Sequence, residues 1–249
     1  MSDRQARGEH ERAGARVALL DWDNSLHRGL TLRSWTPYLG ERDLVTQAVV
    51  EAIEELYAAY EQGDLPYRRL ATEAPELYAR GLDGVRRAEL QAHARSYVEQ
   101  DARALFPFSR VLLQDLAERK IESLVISGSP IETLAVHQEL LPISRLWGIA
   151  VAVRDGVYTG ELELNPAEQT AKADVISTTV REARVMLAIG DAEADIPMLD
   201  AAEVRIVVDN GDLFSGDEKT LHLSPDSTSD GGVAKLRAFI AQTLDAEKH

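Results

Sequence analysis

The sequence predicts an α/β protein: a doubly wound, parallel-sheet core with an inserted all-helical cap domain. Three observations predict it. Short apolar runs at 16–20, 121–126, 185–189 and 204–208 are rich in Val, Ile or Leu and end in Asp, Ser, Gly or Asn. Helical patterns at 111–120, 130–140, 171–184 and 196–201 separate most of them. The long interval from about 42 to 105 carries helical periodicity and no strand signal. Apolar runs without polar alternation suit strands buried on both faces, as in a parallel sheet covered by helices. Strand–helix alternation then implies βαβ units with right-handed crossovers.

The elements follow in order. Residues 1–15 are polar and charged, without the apolar segment of a signal peptide, and read as a flexible tail. The first strand, 16–20, runs into Asp21-Trp22-Asp23-Asn24-Ser25. In the insert, Leu44, Val45, Ala48, Val49, Ala52, Ile53, Leu56 and Tyr57 recur at helical spacing until Gly63-Asp64-Leu65-Pro66 breaks the pattern. A second helix is expected over 67–80, punctuated by Gly81 and Gly84, and a third over 85–104, with Pro107 as its stop. These boundaries place a cap at 27–105 and a core at 16–26 and 106–249. Residues 148–164 read as a β-hairpin turning at Asp155-Gly156. A short last strand at 221–223 and an amphipathic helix at 232–244 close the chain.

Composition narrows the partners. The formal charge of −15 argues against general affinity for nucleic acid or an anionic membrane. With no cysteine, disulfides, zinc thiolates and thiol catalysis are excluded. No apolar run approaches the roughly 18–20 residues that span a bilayer. A cytoplasmic protein, monomer or homodimer, is expected. The sequence contains no Walker A, G-x-G-x-x-G, G-x-S-x-G or H-E-x-x-H pattern, and its six histidines form no spaced cluster.

The chemistry-bearing residues fall at strand ends. In an open α/β sheet, ligands bind outside the carboxyl ends of the strands, so Asp21, Asp23, Ser127 and Asp191 are expected at one rim. A carboxylate such as Asp21 can attack phosphorus and split one hard displacement into two easier ones. A second, Asp23, can protonate the leaving oxygen and then take a proton from water. Repulsion between the two calls for a cation. Asp191 and Asp195, in Gly190-Asp191-Ala192-Glu193-Ala194-Asp195, offer carboxylates of the kind Mg²⁺ prefers. Ser127 and the backbone at Gly128 offer an anion seat before a helix. Lys172 lies between the serine strand and the Asp191 strand, where another rim residue is needed. Taken singly, each has a plainer reading: Asp21 and Asp23 as solvated loop carboxylates, Asp195 and Ser127 as helix-start residues, Lys172 as surface.

Taken in order, D-x-D-x-[ST], an apolar run with Ser127, then Lys172, then G-D-x-x-x-D resembles the haloacid dehalogenase-like superfamily of phosphatases over roughly residues 17–208. The position of the helical insert, Ser127-Gly128-Ser129-Pro130 and Asp195-Ile196-Pro197-Met198-Leu199 resemble its phosphoserine phosphatase-like branch. The resemblance implies a Rossmann-like core, Asp21 as nucleophile and Asp23 as general acid and base. It implies Mg²⁺ held by Asp21, the Asp23 carbonyl and Asp191, with Asp195 at or just behind the metal, and phosphate held by Ser127, Gly128 and Lys172.

There are departures. Asn24 stands where the family favours a small residue such as Gly, and Ser25 replaces a commoner Thr. Leu30 stands nine positions after Asp21, where phosphoserine phosphatases carry a glutamate that binds the substrate ammonium. The segment 27–35 is expected as a flap over the phosphate, with His27 and Arg28 at the substrate. Arg28, Arg33, Trp35 and Arg68 would favour an anionic or planar leaving group. The expected function is Mg²⁺-dependent hydrolysis of a small phosphorylated metabolite other than phosphoserine. The alternatives are a phosphoserine phosphatase, a phosphotransferase or mutase on the same scaffold, and a non-catalytic phospholigand-binding module.

Overall fold

The computed structural model of the chain describes residues 14–101, 103–208, 217–224 and 230–244. Apart from Gly14 and Ala15, the expected tail lies outside the described residues. Seven strands form one sheet: β1 (Arg16–Leu20), β2 (Glu122–Pro130), β3 (Arg145–Arg154), β4 (Val157–Leu164), β5 (Arg184–Gly190), β6 (Val204–Val208) and β7 (Thr220–Leu223). Their spatial order is β4-β3-β2-β1-β5-β6-β7, with every pair parallel except β3–β4. From β1 the chain builds outward through β2 and β3, then returns to the other side of β1 with β5. The strand order therefore reverses beside β1, which is where open α/β sheets place a ligand crevice.

The register lines up that rim. Leu20 pairs with Val125 of β2 and with Ile189 of β5, so the residues just beyond each lie level with one another. Both faces of β1 are buried. Ala18 and Leu20 join Leu112, Leu113 and Leu116 of α5 (Pro107–Glu118) and Leu236 and Ile240 of α9 (Asp230–Leu244). Val17 and Leu19 join Val175 and Ile176 of α7 (Gln169–Thr179) and Met198 and Leu199 of α8 (Ile196–Ala201). This two-sided burial is why the strand sequence shows no polar alternation.

The insert is all-helical: α1 (Thr31–Gly40), α2 (Gln47–Glu61), α3 (Tyr67–Gly81) and α4 (Arg87–Asp101). Its apolar faces, with Trp35, Leu39, Ile53, Tyr78 and Leu90, pack with Val136 of α6 (Ile131–Leu140) and Ile149, Val151 and Tyr158 of the β3–β4 hairpin. The hairpin turns at Asp155-Gly156, both at positive φ (51° and 79°), as the Asp-Gly pair implies.

Four local expectations change. The segment 27–35, expected as a flap, contains the start of α1; Pro37 inside the helix and Gly29 before it hide the periodicity. Pro107 does not stop the preceding helix, which ends at Asp101; it opens α5 at its first turn, where a missing N–H costs nothing. The helix expected over 171–184 ends at Thr179. Strand β2 runs on to Pro130 through an irregularity after Ile126, so Ser127 lies within the strand and makes no cap bond to α6.

Candidate active site

Asp21 follows β1, and its N–H donates to the Ile189 carbonyl at 3.0 Å. The Trp22 carbonyl then accepts from the N–H groups of Ser25, Leu26 and His27, closing a tight turn. Trp22 is fully buried in the same cluster as Ala18 and Leu20, which anchors the turn between the two aspartates. Asn24 has φ 57°, a conformation Asn tolerates better than most side chains, and its Oδ1 accepts from the Gly29 N–H at 3.0 Å. The small residue that the resemblance favours at this position would meet the same backbone demand.

Lys172 reaches the rim from α7. Its Nζ donates to Asp21 Oδ1 at 2.9 Å and to Asp195 Oδ1 at 2.6 Å, with all three side chains buried. The other oxygen of Asp195 accepts from the backbone N–H groups of Asp191 and Ala192 at 3.0 and 3.1 Å. Asp195 thus folds the β5 loop around itself. Gly190 permits this approach, since a Cβ there would sit 2.8 Å from Asp195 Cγ and Oδ2 and closer still to its Cβ. Ser25 Oγ donates to Asp191 Oδ1 at 3.3 Å.

One carboxylate oxygen from each of Asp21, Asp191 and Asp195 lies within 4.8 Å of the others. Asp23 does not join them through its carboxylate. Its Oδ2 accepts from the Thr31 N–H at 3.0 Å, and its Oδ1 accepts from the Thr31 hydroxyl. The sequence reading missed Thr31, because nothing in the spacing marks the first residue of α1 as a partner for a strand-end carboxylate. Ser129 is a second hydrogen-bond partner of Asp23. Ser127 is fully buried, and its Oγ accepts from the Ser129 N–H at 3.2 Å. Gly128 packs so closely on Ala167 that a Cβ would come 3.2 Å from that residue's Cα.

The site is electrostatically loaded. Burial, then the Asp195 charge, raises the Asp21 carboxyl above its ordinary range, and Lys172 opposes this. Burial, then the charges of Asp21 and Asp195, raises Asp191. Burial raises Asp23 against the bonds from Thr31. For Lys172, burial alone would lower the pKa, but Asp195 and Asp21 together outweigh it and hold the ammonium protonated. Among the described residues, four acidic side chains thus share the rim with a single lysine. Additional positive charge would relieve that repulsion.

These residues line a cavity of about 170 Å³, closed on the insert side by Leu30, Leu32, Tyr57, Tyr60, Tyr67 and Leu70. His27 and Arg28, expected at the substrate, are not in its lining. His27 is buried behind the turn, stacked on Trp22 at 5.9 Å, with Nε2 2.6 Å from Asp101 Oδ2. Arg28 is exposed and lies over the Phe106 ring at 5.1 Å. Both follow from the turn at Trp22, which carries the chain away from the rim into the connection to α1. Arg33, Trp35 and Arg68 are also outside the lining. Arg33 is held by Glu54 and Glu61, and Trp35 is buried with its Nε1 donating to the Tyr78 hydroxyl at 3.1 Å.

Fold and site together define a doubly wound α/β protein with a buried acidic group, a lysine and a serine-glycine pair gathered at one rim of its sheet. The sequence carries the family. Residues 18–200 match the family model described as haloacid dehalogenase-like hydrolase, and the chain belongs to that family. Several solved structures share the fold. A protein with unknown function from Bordetella pertussis Tohama I is 18% identical with a TM-score of 0.63, covering 78% of this chain and 90% of its own. A substrate-bound phosphoserine phosphatase complex is 16% identical with a TM-score of 0.60, covering 89% and 98%. A phosphoserine phosphohydrolase-like protein from Francisella tularensis subsp. tularensis SCHU S4 is 18% identical with a TM-score of 0.60, covering 90% and 99%. No curated protein matches the sequence. Among the described residues no helix is long and apolar enough to cross a membrane.

Proposed function

We propose that this hydrolase is a phosphatase that cleaves a small phosphomonoester through an aspartyl-phosphate on Asp21, with Mg²⁺ as cofactor. The observation that carries the reading is the placement of Asp21: a buried carboxylate bonded to Lys172, beside Asp191 and Asp195, in a cavity that Ser127 and Gly128 also line. Asp21 attacks phosphorus and forms an acyl-phosphate, and the ester P–O bond breaks. Asp23, whose carboxyl burial shifts upward in favour of the acid form, gives its proton to the departing alkoxide. The same carboxylate then accepts a proton from water, whose oxygen bonds phosphorus and releases phosphate and Asp21. Lys172, Ser127 and the Gly128 backbone hold the phosphoryl oxygens during both steps.

The donor set fits a divalent cation: clustered carboxylate oxygens with too little positive charge beside them. Asp21, Asp191 and the Asp23 carbonyl would hold it. Both Asp195 oxygens are already engaged, which favours Asp195 as the residue that shapes the loop just behind the metal. When bound, Mg²⁺ neutralises phosphoryl charge.

We take residues 27–105 as a cap unit on a core of 16–26 and 106–249. Paired backbone bonds where the chain leaves and re-enters, Arg28 N–H to Ala104 and Phe106 N–H to Leu26, support those limits. The fold shared with phosphoserine phosphatases adds support for a phosphomonoester substrate. The decisive experiment is phosphate release from a panel of phosphorylated metabolites, with Mg²⁺ and with excess chelator. Release that requires the ion is expected; release from none of them would sink the reading.

A further inference from the structure

The insert side of the cavity carries no charge. Leu30, Leu32, Tyr57, Tyr60, Tyr67 and Leu70 supply carbon surface and tyrosine hydroxyls, and no acidic or basic side chain of the described insert joins the lining. Among the described residues of the lining, the charge lies on the core side, at Asp21, Asp23, Lys172, Asp191 and Asp195. Tyr60 and Tyr67 are 39% and 40% exposed, unusual for rings in an otherwise buried aromatic set, and meet edge-to-face with centroids 5.9 Å apart. The Tyr67 hydroxyl donates to the Ala167 carbonyl at 3.3 Å, and Ala167 packs on Gly128. This places Tyr67 beside Gly128, with Tyr60 against it in the same lining. A charged group carried here would lose water and gain no oppositely charged partner on the insert, whereas a ring would cover exposed aromatic surface.

We propose that the leaving group is an uncharged, apolar alcohol of single-ring size, seated against Tyr60, Tyr67, Leu30 and Leu70. The inference rests on the phosphatase reading and deepens it. Size follows from the cavity: about 170 Å³ lies below the ~300–1,000 Å³ of typical ligand sites, and the phosphoryl group must share it. The reaction is simple hydrolysis. The ester P–O bond breaks, the alcohol leaves with a proton, and water supplies the oxygen of the released phosphate.

Benzyl phosphate, phosphoserine, phosphoethanolamine and phosphoglycolate test it, since all have alkyl leaving groups and differ in charge. Benzyl phosphate is expected to show at least tenfold higher kcat/KM than each charged ester. It should also bind the Asp21→Asn protein more tightly than phosphoserine by calorimetry. Tyr67→Ala should lower the benzyl-to-phosphoethanolamine ratio at least tenfold, through kcat/KM for the benzyl ester. Leu30→Lys should raise the phosphoglycolate-to-benzyl ratio by a similar factor; if that variant misfolds, Tyr67→Ala, at a half-exposed position, still decides. A charged ester turned over as well as benzyl phosphate, or ratios unmoved in Tyr67→Ala, would overturn the apolar seat and leave the phosphatase reading standing. No phosphate release from any ester would remove both.

Discussion

Lys172 Nζ lies 2.9 Å from Asp21 Oδ1 across 151 residues of sequence, and it is the contact on which the site is organised. The bond joins the end of β1 to α7. A second bond, to Asp195 at 2.6 Å, ties in the loop after β5. One buried ammonium thus joins three segments of the rim.

Replacing the carboxylate chemistry should stop turnover without unfolding the protein. Asp21→Asn leaves an amide that cannot form an acyl-phosphate, so phosphate release should fall to background. Asp23→Asn removes the proton donor and should lower kcat by about 10²–10⁴-fold. Phosphate release checks both, with circular dichroism to confirm folding. Substantial turnover by Asp21→Asn would reject the mechanism.

Lys172→Met should be destabilising as well as inactive. It leaves Asp21 and Asp195 buried without their counter-charge, and breaking a buried pair from one side costs about 3–5 kcal/mol. Urea denaturation of metal-free protein measures the loss. A midpoint equal to that of the unaltered chain would show that the pairs contribute nothing.

Mg²⁺ should raise the melting temperature of the protein as well as support its activity, because it would relieve repulsion among buried carboxylates. Excess chelator should reverse both effects. In Asp191→Asn the shift should shrink or vanish, since a ligand and its charge are gone. An equal shift in the variant would move the ion elsewhere.

Gly190→Ala should disturb the site through shape alone. The added Cβ would collide with the Asp195 side chain, whose Oδ2 would lie 2.8 Å away. Relief by backbone movement costs about 1–3 kcal/mol, and it displaces the carboxylate that organises the Asp191 loop. Thermal melting and phosphate release should both fall.

Stability should also drop below neutral pH through His137. It is 3% exposed and packs on Trp22 at 4.6 Å, with His27, Asp101 and Arg110 as its charged neighbours. Burial, then the His27 charge, lowers its pKa from 6.5 to about 4. Between those values the unfolded chain takes up a proton that the folded chain refuses. Its contribution is therefore intact above about 6.5 and declines as pH falls toward 4, by about 3 kcal/mol in total. Urea midpoints at pH 7.5 and 5.0 should differ more for the unaltered chain than for His137→Gln. Equal differences would exclude His137 as the cause.

Most strands of the sheet and the order of the chemistry-bearing residues are legible in local sequence patterns. The strand at 16–20, the hairpin turn at Asp155-Gly156 and the insert helix at 67–81 were legible because burial on both faces, positive φ and helical periodicity each leave a local pattern. Strand ends also named Asp21 and Asp191, since register in a parallel sheet sets those ends level, while Ser127 falls at the irregularity within β2. Helix α1 was hidden by Pro37 and Gly29, whose local signal argues against the helix that packing of Trp35 and Leu39 imposes. Side-chain partners at long range had no local signal either. Only the tertiary structure turned His27 onto Trp22 and Asp101, brought Thr31 to Asp23, and set Tyr67 over Gly128. Which residues meet across separate elements depends on how the helices pack on the sheet, and that packing energy is spread over many contacts that no short motif records.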